Sequence, residues 1–186
     1  MKRHRNIATW TALVAALVGF ACTTRPAEAG SARELERSGR AALQSLYAST
    51  PSAKILGSKA KAIIVFPSIL KAGFMFGGQI GEGVRLQDGR VTGYYSSVAA
   101  SYGFQAGIQK YGYALFFMNQ NALDQLDATA GFELGVGPSI VVVDAGIGKS
   151  ITTTTLTSDV YAFIFNQRGL MAGVGIQGSK LTRIDK

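Results

Sequence analysis

Two hydrophobic periodicities divide the chain. After Ser31, apolar positions recur at helical spacing: Leu35, Ala42 and Leu46 share a face flanked by Leu43, while Arg33, Arg37, Arg40 and Gln44 gather on the other side. Ser31 with Glu34 three residues on predicts a capping box, in which hydroxyl and carboxylate satisfy each other's exposed amides. "STPS" at 49–52 predicts the end of this helix. Beyond it the period falls to two. "AIIVF" at 62–66 reads as a short buried strand ended by Pro67. Over 73–87, Phe74, Phe76, Ile80, Val84 and Leu86 share one face, and Glu82 falls on that same face between Gly81 and Gly83. Asp88-Gly89 is the dipeptide a tight hairpin turn requires. Tyr102, Phe104, Ala106 and Ile108 alternate in the next run, and "YALFFM" at 113–118 is apolar on both faces. Asn119 is placed to cap a short helix through Leu126. Strands are predicted again at 132–143, 159–166 and 170–177, with "NQRG" turning the last pair.

This order predicts an α+β fold: an antiparallel β core, closed or sandwich-like, packed by an N-terminal amphipathic helix and one short helix. An outer-membrane barrel is the rival. The two helices, and a strand apolar on both faces, favour a packed core. Residues 31–186 are long enough to bury such a core as a single domain.

The N-terminus changes the picture. Lys2, Arg3 and Arg5 precede an apolar run, Ile7 to Ala21, broken only by Thr9 and Thr11. At 15 residues it is shorter than the roughly 20 needed to span a bilayer, and residues 1–21 read as a secretory signal. Two processing routes stand open. In one, Cys22 is the acylated cysteine of a bacterial lipoprotein and residues 22–30 form a flexible tether; Thr23 in place of Asp then directs the protein to the outer membrane, facing the periplasm or the cell surface. In the other, "AEA" at 27–29 is the cleavage site and a soluble periplasmic protein begins at Gly30.

Export reshapes the chemical inventory. The one histidine, His4, lies in the signal, and Cys22 is the one cysteine. Ser-His and Cys-His nucleophilic sites, and zinc or copper sites built on these ligands, are thereby removed. No spaced Asp/Glu loop suggests a hard cation. No enzymatic activity and no cofactor are expected. "VVVDAGIGKS" at 141–150 ends like a P-loop, but Val143 stands where that motif needs glycine, and Ile151 with four threonines follows instead of a helix. A turn between strands is the reading that remains.

Removing residues 1–21 takes away Lys2, Arg3 and Arg5 and no acid, leaving 16 cations against 11 carboxylates, a net charge of +5. A basic exported domain suits anionic phospholipid at a membrane surface, or another acidic envelope polymer, and nucleic acid is not expected there. The candidate lipid-binding patch is Arg33, Arg37 and Arg40 with Lys54, Lys59 and Lys61. Each such cation near an anionic surface contributes about 1 kcal/mol. The competing reading is a solvated helix face, with Glu34 ion-paired to Arg37 and Glu36 to Arg40. Glu82 is either a functional buried carboxylate, or a structural residue whose charge a Gly-Glu-Gly bulge turns outward or a lysine pairs.

"AKAIIVFPSILKAGFMFGGQIGEGV" at 60–84 resembles the SYLF domain. The likeness continues through "GFQAGIQ", "LFFMNQNAL", "FELGVGPSIVVVDAGIG" and "GLMAGVGIQGS", ending at residue 179. Members often carry Gly-Trp-Ser where this chain has Gly93-Tyr94-Tyr95, and a glycine-proline turn where it has "DAGIGKS". The resemblance, to the bacterial exported branch, implies a phospholipid-binding module without enzymatic activity. Eukaryotic relatives favour phosphoinositides through a basic N-terminal helical region, and some bind actin. For a bacterial envelope only general anionic-lipid binding carries over. The alternative function is a structural or protein-interaction module of the envelope with an unknown protein partner.

Overall fold

The computed structural model describes residues 25–128, 132–133, 140–143 and 158–186. Its elements run α1 (Arg25–Ser49), α2 (Pro51–Gly57), β1 (Ala62–Gln87), β2 (Arg90–Phe117), α3 (Gln120–Ala128), β3 (Phe132–Glu133), β4 (Ile140–Val143) and β5 (Val160–Ile184). The class is α+β, as the periodicities predict. The five-stranded sheet has the order β1-β2-β5-β3, with β4 also on β5. All neighbours are antiparallel except β4 with β5. The sheet is open rather than closed: among the described residues, β1 pairs with β2 alone.

Local chemistry explains the joints. Helix α1 ends at Ser49 and Pro51 opens α2, because the residue before a proline is pushed out of the helical region; Thr50 is extended, with φ −136°. Helix α1 begins at Arg25, six residues ahead of the predicted cap and inside the stretch expected as a tether. Ser31 therefore lies within the helix and no capping box forms. Its hydroxyl instead accepts from Lys186 Nζ at 3.3 Å. The Asp88-Gly89 turn forms as predicted, with φ of 50° and 74°, the paired positive values that a two-residue hairpin of this twist demands. Asn119 caps α3, its Oδ1 accepting from the Ala122 amide at 2.9 Å.

Both faces of the sheet are covered where the strands carry continuous apolar residues. Ile63, Val65, Ala114, Phe116 and Phe163 pack with Leu43 and Leu46 of α1 and Leu56 of α2. Ile64, Phe66, Leu115, Phe117 and Ala162 pack on the other side with Leu123 and Leu126 of α3. This is why "YALFFM" is apolar at every position.

Two predicted breaks are bulges within continuous strands. Pro67 does not end β1: the register shifts between Phe66 and Ile69 and the strand runs on to Gln87. "NQRG" is no turn either. Strand β5 passes through it, Asn166 at φ 52° beside a register shift opposite Lys110 and Gly112.

Strand β1 also folds back over itself. A Cβ on Gly83 would stand 2.7 Å from both the Val65 carbonyl oxygen and the Phe66 ring, and one on Gly81 2.8 Å from the Ser68 carbonyl. Only positions without a side chain allow that approach. Across the same fold Tyr111 Oη donates to Gln79 Oε1 at 2.6 Å, both residues buried. Buried Arg85 ties the hairpin to α3 through Asp127, Tyr95 and Thr92. Strand β4 lies parallel to β5, and Asp144–Ser150, the predicted turn, lies outside the described residues.

Candidate functional site

Arg33, Arg37 and Arg40 are separated by four and three residues, so they lie within one narrow arc of α1. All three are exposed, whereas Ala32, Gly39, Leu43 and Leu46 are buried on the side facing the sheet. The arc thus faces solvent, as its spacing predicts. Lys54, on α2, and Lys59 and Lys61, between α2 and β1, are exposed as well.

The predicted ion pairs form only in part. Arg37 donates to Glu34, which also accepts from Ser38 Oγ at 3.3 Å. Glu36 is not paired with Arg40. It accepts from Tyr94 Oη, and that hydrogen bond, ahead of burial and the carboxylate's charge, raises the Tyr94 phenol above its ordinary value of 10. Arg40 instead donates through Nη1 to the Gly89 carbonyl oxygen at 2.9 Å. The arginine arc is thereby braced against the β1–β2 hairpin.

A cavity of about 400 Å³ opens beside this brace. Arg40, Gln44 and Tyr47 of α1 form one wall, and Ser58 and Lys61 with Asp88 contribute others. The structure therefore brings Arg40 and Lys61 together around one hollow. Lys54 and Lys59 do not line it, and Arg33 and Arg37 lie along α1 toward its N-terminus. Burial raises the Tyr47 phenol, which stays a neutral hydrogen-bonding group in this wall. The arrangement can hold an anionic group at the surface, with two cations and two hydroxyls set against the one carboxylate, Asp88, in its walls.

Two cations escape the sequence reading. Arg183 and Lys186 line a second hollow of about 320 Å³ with Glu36, Thr92 and Tyr94. Lys186 is held by Glu82 Oε2 at 2.8 Å and by Ser31 of α1. Glu82 is thus exposed and engaged as the structural partner of a lysine. The available signal was the triplet Lys180, Arg183 and Lys186, spaced by three at the end of the chain. Among the described residues no group of three or more His, Cys, Asp or Glu could hold a metal, and no helix is long and apolar enough to cross a membrane. Cys22 lies outside the described residues.

Residues 98–186 match the family model Ysc84, described as "Las17-binding protein actin regulator". The chain is also 28% identical over 130 residues to LAS seventeen-binding protein 3 of Saccharomyces cerevisiae, in strains YJM789 and S288c. That alignment covers 66% of this chain and spans 28% of the length of the yeast proteins. It is a resemblance to one portion of a longer protein that its name describes as binding Las17. Strand β2 from Val98 onward, α3 and β5 all lie inside the matched region, and the match bears out the SYLF likeness seen in the sequence.

Proposed function

We propose that this protein is a non-enzymatic phospholipid-binding module of the bacterial cell envelope, contacting anionic head groups through the basic face of α1. The observation that carries the reading is the hollow beside the hairpin, lined by both Arg40 and Lys61, with Arg33 and Arg37 exposed along α1. Six cations acting at a membrane surface contribute about 1 kcal/mol each, enough for measurable attachment by the domain itself. Acylated Cys22 anchors the protein in the outer membrane, and the domain then acts at raised effective concentration. A protein-interaction module is the second reading, favoured by the printed name of the yeast relatives, which describes protein binding.

The test is vesicle flotation of the chain from Arg25, without the acyl cysteine. Salt-sensitive flotation with phosphatidylglycerol or cardiolipin, and none with phosphatidylcholine alone, supports lipid recognition. Charge reversal of Arg33, Arg37 and Arg40 to Glu abolishes it. Unchanged binding by the folded triple variant overturns the role of the arc, and no flotation of the parent domain turns attention to a protein partner.

A further inference from the structure

The middle of the sheet carries apolar side chains that nothing among the described residues covers. Phe74 is 77% exposed and Leu170 88%; Leu70, Met75, Ile80, Val98 and Ile108 are exposed too. Cross-strand register makes this one surface. Ala72, Ile108 and Leu170 stand opposite one another across β1, β2 and β5, Phe74 is opposite Ala106 in the next row on that face, and Ile80 is opposite Val98. Neighbouring strands lie roughly 5 Å apart, so the row from Ala72 to Leu170 spans about 10 Å.

The backbone works to present these groups. The register shifts between Phe74 and Phe76, and Met75 adopts φ 61°, a left-handed conformation unfavourable for a long side chain. Such conformations concentrate where function needs them. Here the result is two consecutive large apolar residues, Phe74 and Met75, in solvent.

Charge says what covers them. One row beyond Ala72, Ile108 and Leu170 on the same face stand Lys110 and Arg168, adjacent across β2 and β5 and both exposed. Apart from buried Arg85, the three long strands hold six cations and one carboxylate, Glu82, already engaged by Lys186. An apolar patch flanked on one side by cations in an acid-poor surface complements anionic phospholipid, with apolar groups among the acyl chains and cations at the head groups.

We infer that this bulged mid-sheet surface inserts into anionic bilayers, with Phe74 and Leu170 entering the acyl region and Lys110 and Arg168 meeting the phosphates. It is a second membrane contact, distinct from the α1 arc, and rests on the reading of the domain as lipid-binding.

The experiment uses the full chain carrying Trp10→Phe, which removes its one tryptophan. Phe74→Trp, Leu170→Trp and, as a control on α3, Asn121→Trp then each report one position. They are mixed with phosphatidylcholine vesicles, with or without phosphatidylglycerol, bearing brominated acyl chains. The expected result is a blue shift and loss of emission to bromine at positions 74 and 170 in anionic vesicles only, with position 121 unmoved. Flotation with solvent-like emission at 74 and 170 overturns the insertion and leaves the lipid-binding reading standing. Absence of any preference for anionic vesicles overturns both. A blue-shifted indole at 74 before lipid is added also overturns it, in favour of a second copy if the shift depends on protein concentration, or of the chain's own residues if it does not.

Discussion

Replacing Asp127 by alanine would isolate a cation that folding has already drawn out of water. The Arg85 side chain is 10% exposed, and its Nη1 lies 2.7 and 3.0 Å from the two Asp127 carboxylate oxygens. Two lesser contacts survive the change, Nη1 to Tyr95 Oη at 3.2 Å and Nε to Thr92 Oγ1 at 2.9 Å. Breaking a fully buried pair costs about 3–5 kcal/mol, whereas an exposed pair contributes about 0–1 kcal/mol. Asp127 is 42% exposed, so water can reach the vacated side, and the expected loss for Asp127→Ala falls between, at about 2 kcal/mol. For a domain of this size that lowers Tm by about 4–8 °C. Urea unfolding of Asp127→Ala, Arg85→Met and the double variant reads the effect directly. The double variant leaves no buried charge and should be more stable than Asp127→Ala alone. An Asp127→Ala midpoint equal to the parent's, or a double variant that loses the sum of the two single costs, would refute this account of the pair.

Two further outcomes follow from the geometry. Gly83→Ala forces a methyl against a carbonyl oxygen and a ring at 2.7 Å and should cost about 1–3 kcal/mol in urea unfolding, with parent-like stability as the refuting result. Burial raises the phenols of Tyr47, Tyr95, Tyr111 and Tyr113, and the Glu36 hydrogen bond raises that of Tyr94. The folded state therefore holds these protons more tightly than the unfolded chain. Their contribution is fully present below pH 10 and is lost as pH rises through the folded values, so urea midpoints should fall above pH 10. A midpoint that stays level to the alkaline limit of the assay would contradict the burial of these rings.

The parts legible in the sequence are those decided by neighbours in the chain. Asp88-Gly89 and Asn119 carry their turn and cap chemistry within three residues, and the α1 arc follows from spacing alone. What escaped was decided at a distance. Pro67 and "NQRG" look like ends because prolines and turn residues usually are, yet a bulge absorbs each of them inside a strand. The glycines at 81 and 83 suggest close approach, but nothing local says that the partner is Val65–Ser68 of the same strand. The shared face of Phe74, Ile80, Val84 and Leu86 was visible. That Val84 and Leu86 would be covered by α1 while Phe74 and Ile80 stayed bare was not, because a period of two marks a face and not its neighbour. The hollow joining Arg40 to Lys61 depends on where the hairpin docks, which no spacing along α1 encodes.

The three irregularities of β1 bear on how the molecule meets its own kind. Strand β1, 26 residues long, is an outer strand of the sheet, and among the described residues β2 is the one other strand it pairs with. A straight edge of that length would be a template on which another chain could add strand by strand. Shifts after Phe66, Phe74 and Arg85 break it into segments whose amides and carbonyls point in different directions, and Pro67 removes one donor altogether. An incoming strand can keep step only within one segment before losing its hydrogen bonds. The bends that shape the sheet thus also deny it a continuous seam for aggregation.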